Sequence, residues 1–210
     1  MTVKTQENES AVRRRIHDAA MRLFAERGGT EVNIKELAEE AGVARGTIYA
    51  HVKSVDRLFA EVAGALTVEM NERVVHSFSS VDDPVARLAF GIRSYLRRAH
   101  EEPLWGRFVL TFALRAPVFF EEIWQGRPAR DVLAGLERGR YRIEKEQLNS
   151  VMMMIGGSVI GAMALMLDGH ETWRNAGFDA VEFILRALGV PENDAKAYAV
   201  AELPALLSVS

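Results

Sequence analysis

Residues 33–51 read NIKELAEEAGVARGTIYAH, and this stretch decides the fold. The spacing predicts two short helices, Ile34 to Ala41 and about Ala44 to His51, joined by a tight turn. Asn33 is a good N-cap, and Glu36 falls three residues later, where its side chain can reach back to the cap's own amide. Gly42 follows the first apolar run and can take the left-handed conformation that a sharp reversal needs. Ala38 and Gly42 are small where two steeply crossing helices must come close. Leu37, Val43 and Ile48 supply the apolar contacts that pin one helix on the other. This is the helix-turn-helix pattern, whose second helix is built to enter a DNA major groove.

Working outward, Val12, Ile16, Ala19, Ala20, Leu23 and Phe24 recur at helical spacing and predict a first helix over about Ser10 to Arg27, ended by Gly28-Gly29. Residues 1–9 are short, polar and without periodicity, and are expected to be a disordered tail. Ser54 caps a long fourth helix with Val55, Leu58, Phe59, Val62, Leu66 and Met70 on one stripe, running toward Phe78.

These residues together resemble the tetracycline-repressor (TetR) family of transcriptional regulators. The match rests on Ile16, Ala19, Ala20, Leu23, Phe24 and Gly28, then Leu37-Ala38, Ala41-Gly42-Val43, Gly46-Thr47-Ile48-Tyr49, His51, Ser54 and Leu58. The sequence departs from the family's habit at Ala44, where a serine often caps the recognition helix and touches phosphate. It departs also at Asn33, Gly29, Val52 and Val55. The resemblance implies an all-α protein of about nine or ten helices. A helix-turn-helix head over 10–53 would precede a helical effector-binding and dimerisation domain over 54–210.

The DNA-facing set is expected to be Asn33, Lys35, Ala44, Arg45, Gly46, Thr47, Tyr49, His51 and Lys53. Arg45 can donate two hydrogen bonds to a guanine edge. Thr47 can meet a thymine methyl or a phosphate. Tyr49, His51, Lys35 and Lys53 are suited to phosphates, which position rather than specify. Gly46 lets the backbone come close. One short helix reads few base pairs, so two copies on half-sites about 34 Å apart are expected, on a near-palindromic operator.

Overall charge gives weaker guidance. The net charge of −3 argues against a generally basic coat, and residues 1–60 carry 10 basic against 9 acidic side chains. DNA binding must therefore rely on local placement of arginine and lysine. The 210-residue chain is large enough for a sizeable core without staples. It has no cysteine, which excludes disulfides and thiol chemistry and fits a reducing, cytoplasmic setting. The charged N-terminus is not a secretory signal.

Proline punctuates the remainder at Pro84, Pro103, Pro117 and Pro191, each where a helix can start. Further helices are expected from each of these, with a break at Gly126 to Pro128 and a stop at Gly139. Long helices are expected over about Glu144–Leu167 and Arg174–Leu188, and the last from Pro191 to about Leu203. No segment alternates with period two between turns, so strands are not expected.

Residues 147–167 (QLNSVMMMIGGSVIGAMALML) carry no charge and are long enough to span a bilayer. The alternative reading is therefore a membrane-anchored helical protein. Gln147, Asn149 and Ser150 at one end, and the abundance of Gly and Ala, favour a buried helix instead. The resemblance places half of a four-helix dimer interface here, with the 174–188 helix as the other half. Gly157, Gly161, Ala164, Phe178, Val181 and Leu185 are then the interface residues.

Tyr95, Trp105, Phe108, Phe112, Trp124, Met152, Met163 and Trp173 cluster in the middle of the chain. They make either filled core or, as the resemblance implies, a pocket for an apolar or aromatic effector. Arg107 and Arg115 are candidates to pair an anionic group. No histidine and carboxylate pattern has metal-ligand spacing, and no nucleophile elbow or phosphate loop is present. Neither metal, cofactor nor enzymatic activity is expected. The reading is a dimeric, sequence-specific DNA-binding regulator, expected to be a repressor released by a small ligand. A constitutive binder with a filled core is the remaining alternative.

Overall fold

The computed structural model describes residues 3–27, 31–113 and 126–208. Among them are ten α-helices: α1 (Val3–Arg27), α2 (Ile34–Ala41), α3 (Arg45–His51), α4 (Val55–Ser77), α5 (Pro84–Glu101), α6 (Pro103–Ala113), α7 (Arg127–Glu137), α8 (Leu148–Leu167), α9 (Trp173–Ala187) and α10 (Glu192–Val200). No strand occurs among the described residues.

The helix starts follow local chemistry. Asn33 accepts the Glu36 amide at 2.9 Å, and the Glu36 carboxylate accepts the Asn33 amide at 3.4 Å, closing a capping box on α2. Gly42 turns the chain with φ of 63°. Ser54 and Asp83 cap α4 and α5 by accepting the amides of Arg57 and Val85. Pro84 and Pro128 sit at the starts of α5 and α7, positions where a missing amide costs nothing. The expected break at 126–128 is thus the beginning of α7.

Three boundaries differ from the sequence reading, one being α8, which begins at Leu148 after a single 3-10 turn over Lys145–Gln147 and not at Glu144. The segment expected as a disordered tail to residue 9 enters α1 at Val3. Lys, Gln and Glu in that segment are good helix formers, so propensity extends α1 outward with no apolar stripe to announce it. The last helix ends at Val200, three residues before Leu203. The segment opened by Pro117, with Phe119, Phe120, Ile123 and Trp124, lies outside the described residues, as do Gly28 and Gly29.

Helices α1, α2 and α3 form the head, closed around Ile16, Phe24, Leu37 and Ile48, all nearly inaccessible. The apolar core does not stop at the head. It continues through Phe59, Val62 and Met70 of α4 into Leu96, Trp105, Phe108 and Phe112 of α5 and α6. Gly106 permits this closeness: a Cβ there would lie 2.8 Å from the Ala99 Cβ. A second core joins α5, α7, α8, α9 and α10 around Val85, Val132, Met152, Val181 and Leu185.

Candidate functional site

The first feature is the outer face of α3. Arg45, Gly46, Tyr49 and His51 are exposed, as is Lys53 just beyond the helix, while Thr47 is half-buried. Ile48 points inward with no exposure, so the polar face is forced outward. Tyr49 is 69% exposed, so its ring and hydroxyl stand clear of the head. Arg22 and Arg27 are committed inside the head, to Glu40 at 2.7 Å and Glu36 at 2.9 Å. The Arg27 hydrogen bond holds the Glu36 carboxyl below its ordinary range. Arg45 and Lys53 make no ion pair among the described residues. Lys35 is exposed at the start of α2, 3.9 Å from Glu39. Asn33 spends its carbonyl oxygen on the cap, leaving its amide nitrogen for other contacts. Ala44 offers no side-chain cap to α3.

The second feature is a cavity of about 90 Å³ lined by α4, α5, α6, α7 and α8. That is several times the roughly 10–15 Å³ one water needs. Four of the expected aromatics, Tyr95, Trp105, Phe108 and Phe112, line it together with Met70, Leu88 and Ile155. Met152 and Met163 do not. They are fully buried one turn beyond either end of the α8 stretch that faces the cavity, and serve as core. Trp173 is also elsewhere. It is half-buried in a charged surface recess with His100, Arg97 and Arg174. Trp124 lies outside the described residues.

Arg107 faces solvent, so it does not serve the cavity, and Arg115 is outside the described residues. Among the described residues, the charges at the cavity wall are Arg87, Arg127 and Asp131. Asp131 is buried, and accepts from Arg87 Nε at 2.6 Å and from Arg127 Nε at 3.2 Å. Arg87 also donates to the carbonyls of Val81 at 2.8 Å and Asp82 at 3.0 Å. This cluster was not read from the sequence, although the i,i+4 spacing of Arg127 and Asp131 could have signalled that pair. The partner across 44 residues carries no such signal. Thr67, Asn71, Tyr95 and Trp105 supply neutral polar groups to the wall, and the Tyr95 hydroxyl donates to Asn71 Oδ1 at 3.5 Å.

Cavity and head share a wall of aromatic rings. Phe108 and Phe112 line the cavity. Phe59 of α4 lies 5.4 Å and 6.0 Å from them, centroid to centroid, and meets Phe24 of α1 edge-on at 5.0 Å.

The third feature is the outer surface of α8 and α9. Met153, Gly157, Gly161 and Leu165 recur every four residues, and all four are exposed. A Cβ placed on Gly157 or Gly161 meets nothing within 4 Å. Phe183 of α9 is 63% exposed. Ala164 and Phe178 are half-buried, Phe178 beneath the Arg93 guanidinium. Val181 and Leu185 have no exposure, which removes them from any intermolecular surface. Their stripe packs inward against α5 and α8, and the sequence offered no means to separate it from the outer stripe bearing Phe183. Lys145–Leu167 is long and apolar enough to cross a membrane. It packs against α5, α6, α7 and α9, as a domain helix does.

An exposed helix-turn-helix joined to a helical body with an internal cavity defines a DNA-binding regulator of the ligand-sensing type. Comparison with known proteins agrees. Residues 16–62 match the family described as bacterial regulatory proteins, tetR family, and residues 83–201 match the tetracyclin repressor-like C-terminal domain. The HTH-type transcriptional regulator AcrR of Shigella flexneri is 40% identical over 62 residues, 30% of this chain and 29% of AcrR. This chain thus spans less than a third of AcrR. The HTH-type transcriptional repressor Rv1474c of Mycobacterium tuberculosis is 31% identical over 170 residues, covering 79% of this chain and 84% of the repressor. Among solved structures, RolR in complex with resorcinol superposes with a TM-score of 0.72 at 26% identity, covering 96% and 99% of the two chains. SmeT, the repressor of a Stenotrophomonas maltophilia multidrug efflux pump, shares the fold, with a TM-score of 0.67 at 21% identity over 83% and 89%.

The chain belongs to the TetR family of bacterial transcriptional regulators. It is a regulator and not an enzyme.

Proposed function

We propose that the chain is a cytoplasmic homodimeric repressor that holds a near-palindromic operator and releases it when a small, largely apolar or aromatic compound enters the cavity. Arg45 reads a base edge in the major groove. Lys35, Thr47, Tyr49, His51 and Lys53 set the register on phosphates, and Gly46 allows close approach. Two copies meet through the outer faces of α8 and α9, with Gly157, Gly161 and Ala164 at the closest approach and Met153, Leu165 and Phe183 around them.

One observation carries the reading: the rings that wall the cavity also touch the core of the head through Phe59. A compound that repacks Phe108 or Phe112 therefore changes what α1 and α4 rest on. Ligand and operator then favour different arrangements and oppose each other by linkage. RolR with resorcinol supports a cavity ligand of single-ring size by likeness.

The test starts with selection of bound duplexes from a randomised pool, using protein purified without detergent. A two-fold sequence should emerge. A panel of apolar and aromatic compounds is then scored for melting shift and operator release. Monomeric protein that ignores every duplex at low salt would sink the proposal. Compounds that raise the melting temperature without loosening the operator would establish a constitutive binder instead. A protein recovered only in detergent would restore the membrane reading.

A further inference from the structure

Trp105 sits at the start of α6 with 2% of its surface accessible, and its ring lines the cavity. Its indole Nε1–H is shut off from solvent and has no acceptor among the described residues. A buried donor left unpaired forfeits its hydration for nothing, and such groups in folded proteins call for an explanation. Nearby chemistry sharpens the case. The Arg98 guanidinium lies 4.4 Å from the ring centroid, held there by Glu69 and Glu102. A cation over the ring face draws electron density from the indole and makes its N–H a stronger donor.

The rest of the wall narrows what can accept that bond. Met70, Leu88, Phe108, Phe112 and Ile155 leave room for a flat apolar body. Asp131 takes the Nε–H of both Arg87 and Arg127, and the carbonyls of Val81 and Asp82 take Arg87 Nη1. A ligand anion at the remaining Nη groups would lie beside the buried Asp131 carboxylate and be repelled by it.

We propose that Trp105 selects the effector: an uncharged single-ring compound bearing a hydrogen-bond acceptor, such as a carbonyl or ether oxygen, that takes the Nε1–H. This deepens the proposed function and rests on the cavity being the effector site. The ring fills the apolar part of the cavity, and the acceptor end lies at the Trp105 corner beside Tyr95, whose ring centroid is 5.8 Å from that of Trp105.

Acetophenone and α-methylstyrene test it, because they have nearly the same shape and differ in C=O against C=CH₂. Binding to the full chain is measured by isothermal titration and melting shift. The wild type should bind acetophenone about tenfold tighter, the effect of one well-made hydrogen bond in a dry site. In Trp105→Phe the two affinities should become equal. Benzoate should bind the wild type more weakly than acetophenone. Equal affinities in the wild type would overturn the role of Trp105 while leaving the cavity as a ligand site. A preference that survives in Trp105→Phe, or benzoate binding tighter than acetophenone, would overturn it also. Failure of both neutral compounds to bind at all would overturn the cavity reading itself. The wild-type comparison needs no variant, so a folding defect in Trp105→Phe leaves the test decisive.

Discussion

Replacing Gly161 by leucine separates the proposed dimer from the fold of each subunit. In the single chain, a Cβ at Gly161 meets nothing within 4 Å, so the subunit has room for the new side chain. Glycine inside an exposed helix is also unfavourable, and leucine should stabilise α8 locally by about 0.5–1 kcal/mol. The dimer should respond with the opposite sign. Forcing bulk into a packed contact costs roughly 1–3 kcal/mol. A two-fold interface carries the change twice, so the dimer should lose roughly 2–6 kcal/mol, about thirty-fold to twenty-thousand-fold in dissociation constant. Sedimentation equilibrium from nanomolar to micromolar protein reads that constant directly. Circular dichroism on the same samples reads helix content, and a gel shift with the selected operator reads binding. The expected pattern is retained helix content, monomers at micromolar concentration and weakened operator binding. A variant that dimerises like the wild type would refute the reasoning and place the interface on another surface. Loss of helix content would refute it too, because it would mean that the space seen at Gly161 is not there.

Three further outcomes are expected. Arg45→Ala should weaken binding to the selected operator by ~1–3 kcal/mol and relax preference at one base pair, measured by competition with mutated sites; equal loss on every sequence would make Arg45 a phosphate contact. Asp131→Ala should cost about 3 kcal/mol in urea denaturation, toward the low end for breaking a buried pair because Arg87 keeps its two carbonyl acceptors; a loss below about 1 kcal/mol would show the pair to be well solvated. Glu36 titrates below its ordinary value of 4.5, chiefly through the Arg27 hydrogen bond, so its contribution to the head is full above that pH and is lost as the pH falls through the folded value. Glu36→Gln should therefore flatten the acid limb of head unfolding, and an unchanged limb would refute that assignment.

The helix-turn-helix was legible because every local signal in 33–51 agreed. The cap at Asn33, the left-handed Gly42 and the inward Ile48 all lie where the spacing puts them. What depended on contacts between distant segments was not legible. The expected aromatic cluster holds Tyr95, Trp105, Phe108 and Phe112, but whether such rings fill a core or wall a cavity depends on how far apart the backbones stand. The Arg87–Asp131 bond joins residues 44 apart, and nothing local to either signals the other. In α8 apolar residues surround the axis, so periodicity could not tell the Met152 and Met163 side from the Gly157 and Gly161 side. In α9 two apolar stripes compete, and periodicity does not say that the one with Val181 and Leu185 is buried while Phe183 faces out.

The shared aromatic wall also constrains how an effector can act. A ligand shifts an equilibrium only by its difference in affinity for the two states. Were the head a separate body on a flexible tether, nothing in the cavity would differ between a DNA-competent and an incompetent arrangement. Here Phe59 is 5% exposed and packed at once against Phe24 in the head and against Phe108 and Phe112 at the cavity. Close-packed rings do not deform gradually; they repack between discrete arrangements. Seating a ring beside Phe108 therefore biases where α1 rests on α4, and in a dimer both heads move. A coupling of only about 1–3 kcal/mol, usual for linked sites, changes operator affinity roughly 5- to 150-fold. A contact patch as small as four phenylalanines is therefore large enough to carry the switch.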